Sequence, residues 1–140
     1  MERTAPTTLR LERVLVGRLA RVGTLAALLS ASANAVVLAI ASSFLGAVVI
    51  PPDVTVTLGQ VVVASVFGSI GVAVIFAVIQ RFTWHPVRIF WGVAAVGLLL
   101  SFVPIALAGA TGSSAVTLAL MHVLAAVTNV GLLTKLRWKG

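Results

Sequence analysis

Apolar positions run along the chain in four long blocks, separated by short polar or turn-forming stretches. A spanning helix needs about 20 mainly apolar residues, with a range of roughly 17–25. Residues 22–45, 58–80, 89–108 and 115–134 meet that length, and the first block has an open continuation to residue 50. The breaks have local causes. Pro51-Pro52-Asp53 cannot extend a helix, because proline lacks the N–H and fixes φ. Residues 81–88 (RFTWHPVR) are polar and contain Pro86, and residues 109–114 (GATGSS) predict a tight turn.

The polar residues inside the blocks fall into a pattern of their own. Counted from the basic residue bordering each block, Asn34 lies 13 residues beyond Arg21, Ser69 lies 12 before Arg81, Ser101 lies 13 beyond Arg88, and His122 lies 13 before Lys135. At about 1.5 Å per residue all four sit roughly 18–20 Å from that border, near or just past the middle of a hydrocarbon core about 30 Å thick. Unpaired polar groups are costly in hydrocarbon, so these side chains are predicted to turn inward as a common layer. The expectation is that Asn34, Ser69, Ser101 and His122 hydrogen-bond to each other or to water.

Spacings of four and seven add further residues to the same faces. Ser30 precedes Asn34 by four, Ser65 precedes Ser69 by four, and Asn129 follows His122 by seven. Pro104, three residues after Ser101, removes the hydrogen bond the Leu100 carbonyl would accept and predicts a kink just outward of the layer, with room for a cavity there. On the first span Ala27, Ala31, Ala35, Ala39 and Ser43 form a ladder of small residues, which lets a neighbouring helix or a second copy approach closely.

Charge then orients the blocks. Of the ten Lys and Arg, Arg3, Arg10, Arg13, Arg18 and Arg21 precede the first block. Arg81 and Arg88 lie between the second and third, and Lys135, Arg137 and Lys139 follow the fourth. The other two loops carry none, so the positive-inside rule places both termini and the central loop in the cytoplasm. Trp84, Trp91 and Trp138 fall at that same border, where an apolar ring with one polar N–H is favoured. Residues 1–20 are a basic cytoplasmic lead-in. Leu11, Leu15, Leu19 and Val22 cluster on one side of a helical wheel and Arg10, Arg13 and Arg21 on another, with Glu12 interrupting the apolar side. An interfacial helix on anionic lipid and a frayed extension of the first span are both open.

A second reading of the N-terminal region is a cleavable signal peptide, with Arg10 to Arg21 as its basic part and Ala31-Ser32-Ala33 or Ala33-Asn34-Ala35 as its cleavage site. Cleavage would strand residues 36–50 as an apolar segment shorter than the roughly 17 residues needed to span. One uncleaved helix is therefore expected.

Composition agrees with a bilayer environment. The 140 residues are 60% hydrophobic and 9% charged, against roughly 25% charged in a soluble domain. The fold class expected is an all-α four-helix transmembrane bundle, N-in and C-in, forming a single domain in the plasma membrane. The net charge of +7 does not imply nucleic acid, since the basic residues border apolar spans instead of gathering on a soluble face. The absence of cysteine excludes disulfides, thiol redox chemistry and Cys-ligated metals.

No predicted span contains Asp, Glu, Lys or Arg, and the only acids are Glu2, Glu12 and Asp53. Carboxylate acid–base catalysis and carboxylate-driven proton coupling therefore have no groups to use. Haem held between helices normally needs paired histidines, and His85 lies in the central loop, away from His122. No P-loop, H-E-x-x-H or G-x-S-x-G is present. No catalytic residue, cofactor or metal is expected.

Several stretches resemble a family of small four-helix actinobacterial membrane proteins, the domain of unknown function numbered six-zero-six-nine. They are Asn34-Ala35, the outer proline–aspartate loop, VRIFW at 87–91, LLLSFVP at 98–104 and LALMHVLAAV at 118–127, spread over residues 24–136. The resemblance implies an integral membrane protein with four spans and implies no activity. The leading expectation is a non-enzymatic membrane protein whose polar layer sets helix packing. One alternative is a binder or conduit for a small neutral molecule, using a cavity at His122, Ser101 and Asn34. Another is an accessory subunit, or a homo-oligomer, whose apolar faces meet a larger membrane complex.

Overall fold

The computed structural model describes residues 7–110 and 112–135, with side chains from residue 17 onward. In chain order it contains α1 (Thr7–Phe44), β1 (Val49–Ile50), β2 (Val54–Thr55), α2 (Leu58–Phe82), α3 (Pro86–Leu107) and α4 (Gly112–Leu133). Four helical segments are long and apolar enough to cross a membrane, namely Gly17–Phe44 within α1 and the whole of α2, α3 and α4. Helices suit hydrocarbon because each satisfies its own backbone polar groups.

The helix ends follow from local chemistry. Thr57 caps α2 in a reciprocal box: its hydroxyl accepts from the Gln60 N–H at 3.4 Å, and the Gln60 side chain accepts from the Thr57 N–H at 2.8 Å. Pro86 opens α3 in the first turn, where its missing N–H has no intrahelical partner to lose. α1 does not continue to residue 50. The chain leaves the helix after Phe44, and Gly46 takes φ 86°, a left-handed conformation that glycine adopts without strain. At its other end α1 runs without interruption from Thr7, so the lead-in backbone is helical and continuous with the first span. The amphipathic pattern of Arg10, Leu11, Arg13 and Leu15, like Trp138, lies outside the described side chains.

Residues 48–56, which the apolar pattern left partly within the first span, fold as a two-stranded antiparallel ribbon. Val49 pairs with Thr55 and Ile50 with Val54. The Val56 N–H donates to the Val48 carbonyl at 2.8 Å, and the Val49 N–H donates to Ser114 Oγ at 3.1 Å, tying the ribbon to the start of α4. Asp53 closes the turn at φ 107°, outside the regions that side chains favour.

Two apolar clusters hold the bundle at opposite ends. One joins Leu38, Ala41, Val48, Val61 and Met121, from the end of α1, the ribbon, the start of α2 and the first half of α4. The other joins Phe76, Phe90, Val130 and Leu133, with Leu19 and Val22 packed against it. This sharing of ends is what antiparallel sequential helices produce. α1 packs closely on α2 and α4, whereas α2 and α3 touch sparsely. α1 passes α2 at Gly23, where an added Cβ would make ordinary van der Waals contact with the Ala73 Cβ at 3.4 Å. Of the small-residue ladder, Ala27 and Ala31 are buried inside the bundle, while Ala39 and Ser43 are exposed.

Phe76 and Phe90 are fully buried, and their rings lie 4.6 Å apart at 52°. Between lipid and protein there is little transfer energy to gain, so truncation costs mainly lost packing. For Phe76→Ala, roughly 100 Å³ of new cavity at about 24 cal/mol per Å³ predicts a loss of about 2.4 kcal/mol. Phe67→Ala, at a 70% exposed position of the same helix, should change stability by less than about 0.5 kcal/mol in the same detergent-unfolding titration.

Candidate functional site

Between the two apolar clusters the helices separate around a cavity of about 720 Å³. Asn34, Ser69, Ser101 and His122 all line it, so each of the four helices contributes one residue of the predicted layer. Ser65 and Asn129 also line it, whereas Ser30 is buried outside its wall. The rest of the wall is aliphatic, glycine or aromatic apart from Gln60 near the ribbon. Among the described residues no Asp, Glu, Lys or Arg lines the cavity, and no cluster of His, Asp or Glu could hold a metal ion.

The four layer residues are not hydrogen-bonded to one another. Asn34 Nδ2 donates to Ser65 Oγ at 3.0 Å, linking α1 to α2. Ser101 Oγ donates to the Leu98 carbonyl at 2.6 Å, within α3. His122 Nδ1 meets the Leu118 carbonyl at 2.7 Å, within α4. Asn129 Nδ2 likewise turns back on the Ala125 carbonyl at 2.8 Å. The expected mutual network is replaced by one interhelical pair and three local bonds. The reason is reach. These side chains are short, and a carbonyl three or four residues back on their own helix is nearer than a partner across the cavity.

Some polar atoms are left over. Among the described residues Ser30 Oγ, Asn34 Oδ1, Ser69 Oγ and Asn129 Oδ1 are buried without a partner. A buried polar atom left unpaired costs about 1–3 kcal/mol. His122 presents a different case. A backbone carbonyl can only accept, so Nδ1 carries the hydrogen in the bond to Leu118. In the neutral ring Nε2 is then an unprotonated acceptor, and the ring lies in the cavity wall.

A second cavity of about 370 Å³ adjoins the first near the end of α3, bordered by Pro104, Ile105, Ala108 and Ala110. Ile50, Ser101, Leu118 and His122 line both. Pro104 stands inside α3 in the wall of this second cavity, and Ser101 and His122 mark the junction.

Sequence reasoning named the polar wall but missed its aperture. Ala64, Gly68 and Gly97 line the cavity and are exposed. Their signal was available as small residues four apart, Ala64 to Gly68 and Gly97 to Ser101. Such spacing ordinarily reads as close helix packing.

The bonding pattern predicts which residues couple. A double-mutant cycle on Asn34→Ala and Ser65→Ala should give about 0.6 kcal/mol, the average for intramembrane hydrogen bonds. A cycle on Asn34→Ala and His122→Ala should be additive within roughly 0.5 kcal/mol.

No curated protein matches this chain, and no solved structure does. The model of one family, described as a family of unknown function (DUF6069), matches residues 14–137. With four membrane-length apolar helices and a match over nearly its whole length, the chain belongs to that family of unknown function.

Proposed function

We propose that this protein is a non-enzymatic, multi-pass protein of the cell membrane that binds or passes a small neutral or weakly polar molecule in its central cavity. The observation carrying this reading is the cavity itself. Its volume of about 720 Å³ lies within the roughly 300–1,000 Å³ typical of small-molecule sites, and its apolar wall holds a few convergent polar groups. Three of the four layer residues bond only within their own helices or stay unpartnered, which does little to fix helix packing. No Asp, Glu, Lys or Arg stands beside His122 among the described lining residues, which favours binding over carboxylate-assisted acid–base catalysis.

Two observations keep neighbouring readings in play for parts of the molecule. The Asn34–Ser65 bond supports a packing role at the α1–α2 contact. α3 buries only Phe90, and exposed side chains such as Leu99, Leu100 and Val103 are available to lipid, a second copy or a larger membrane complex.

The distribution of Arg and Lys supports a cytoplasmic position for both termini and the central loop, with Arg18 and Arg21 suited to anionic headgroups. The chain has no cysteine, so single introduced cysteines report cleanly. In intact cells a membrane-impermeant maleimide should label Asp53→Cys and leave Trp84→Cys unlabelled; the reverse pattern refutes the orientation. For the cavity, native mass spectrometry from nanodiscs should show a small neutral adduct on the protein. It should be lost in Ala125→Phe, which fills the cavity wall. An adduct that persists in this variant, or none in either protein, contradicts binding at this site.

A further inference from the structure

The cavity has a side door. Among its lining residues, those that are exposed are Gln60, Ala64, Gly68 and Ile75 of α2, Val93 and Gly97 of α3, and Val54 of the ribbon. No lining residue of α1 or α4 is exposed. The mouth therefore runs along the gap between α2 and α3. Those helices meet at the Phe76–Phe90 pair, and the cavity takes the place of contact between them over the stretch beyond it.

Gly68 and Gly97 stand in this mouth, and they do not serve close packing. A Cβ built at either position meets nothing within 4 Å. Their missing side chains widen an opening at the depth of the polar layer, where the surrounding medium is hydrocarbon. A molecule arriving this way is already dissolved in the membrane. A charged group would find no counter-charge in the wall, so the occupant is uncharged.

The polar groups within select its chemistry. Ser101 and Asn129 each spend a donor on a backbone carbonyl, and so does His122 through Nδ1. Nε2 of His122 makes no hydrogen bond among the described residues and is not among the sealed polar atoms. It is left as an accessible acceptor at the junction of the two cavities. A plain hydrocarbon chain would desolvate this nitrogen without bonding it, whereas a hydroxyl would satisfy it.

We propose that the cavity receives an uncharged, membrane-dissolved alcohol, which passes laterally between α2 and α3 over Gly68 and Gly97 and donates its hydroxyl hydrogen to His122 Nε2. This deepens the binding reading above and rests on it.

The test uses the full chain in phosphatidylcholine vesicles. The probes are a long-chain primary alcohol carrying a mid-chain diazirine and its methyl ether, which has the same body but no donor. After brief exposure and illumination, the alcohol should label peptides of α2, α3 and α4 that line the cavity. The ether should label them about five- to tenfold less, the worth of one hydrogen bond. His122→Leu should bring the alcohol down to the level of the ether. Gly68→Leu with Gly97→Leu should remove most of the labelling, while Gly68→Ala with Gly97→Ala, too small to close the gap, should retain it.

Equal labelling by alcohol and ether overturns the hydroxyl selection. Undiminished labelling in the leucine variant, with its melting temperature unchanged, overturns the lateral route. Should the double leucine variant fail to fold, Gly97→Leu alone carries the same test. If neither probe labels the cavity of the unaltered protein, binding at this site fails, and the proposal with it.

Discussion

In hydrocarbon the hydrophobic effect cannot drive helices together, because lipid tails are as apolar as the side chains they would replace. What remains is packing, together with the need to bond every polar group inside the protein. Packing is concentrated in two clusters, at Phe76, Phe90, Val130 and Leu133 and at Leu38, Val48, Val61 and Met121. Polar groups are gathered between them. The same requirement that turns Asn34, Ser69, Ser101 and His122 inward also prevents that level from being filled with hydrocarbon side chains, and a cavity results.

How the polar groups are satisfied determines what the cavity can do. Where serine, threonine and histidine side chains of these helices donate, they turn back to carbonyls three or four residues earlier, as at Thr24, Ser101, Thr117 and His122. Asn34, by contrast, reaches another helix, at Ser65. Had the layer closed into a mutual network, it would have tied α3 to the bundle and left no room. Instead α3 is held near its start by Phe90 and at its far end by the turn into α4. Between these points its contact with α2 gives way to the cavity and its lateral mouth.

The spans were legible because a membrane crossing is a one-dimensional constraint of length and apolarity. The depth of the polar residues followed from counting along a helix of fixed rise, and all four layer residues stand in one cavity wall. Partner choice was not legible. Spacing gives depth and face, but whether Ser101 bonds across the bundle or to its own Leu98 carbonyl depends on a separation of helices that no spacing encodes. The ribbon at 48–56 was obscured because Val48, Val49 and Ile50 are as apolar as a span, although Pro51-Pro52-Asp53 between two valine-rich triplets is a turn signal. Gly68 and Gly97 were passed over for a similar reason. A glycine that permits contact and a glycine that leaves a gap look identical in a sequence.

The binding chemistry depends on His122 holding its hydrogen on Nδ1, against the Leu118 carbonyl, and offering an unprotonated Nε2 to the cavity. Only two histidines are present, His85 and His122, so ¹⁵N-histidine labelling gives an assignable spectrum. Magic-angle-spinning NMR of the protein in lipid bilayers, at a pH where the ring is neutral, should show His122 with a protonated Nδ1 coupled to its hydrogen and Nε2 at the shift of an unprotonated ring nitrogen. A protonated Nε2 with a bare Nδ1 would break the Leu118 hydrogen bond, remove the acceptor from the cavity, and contradict the binding chemistry built on it.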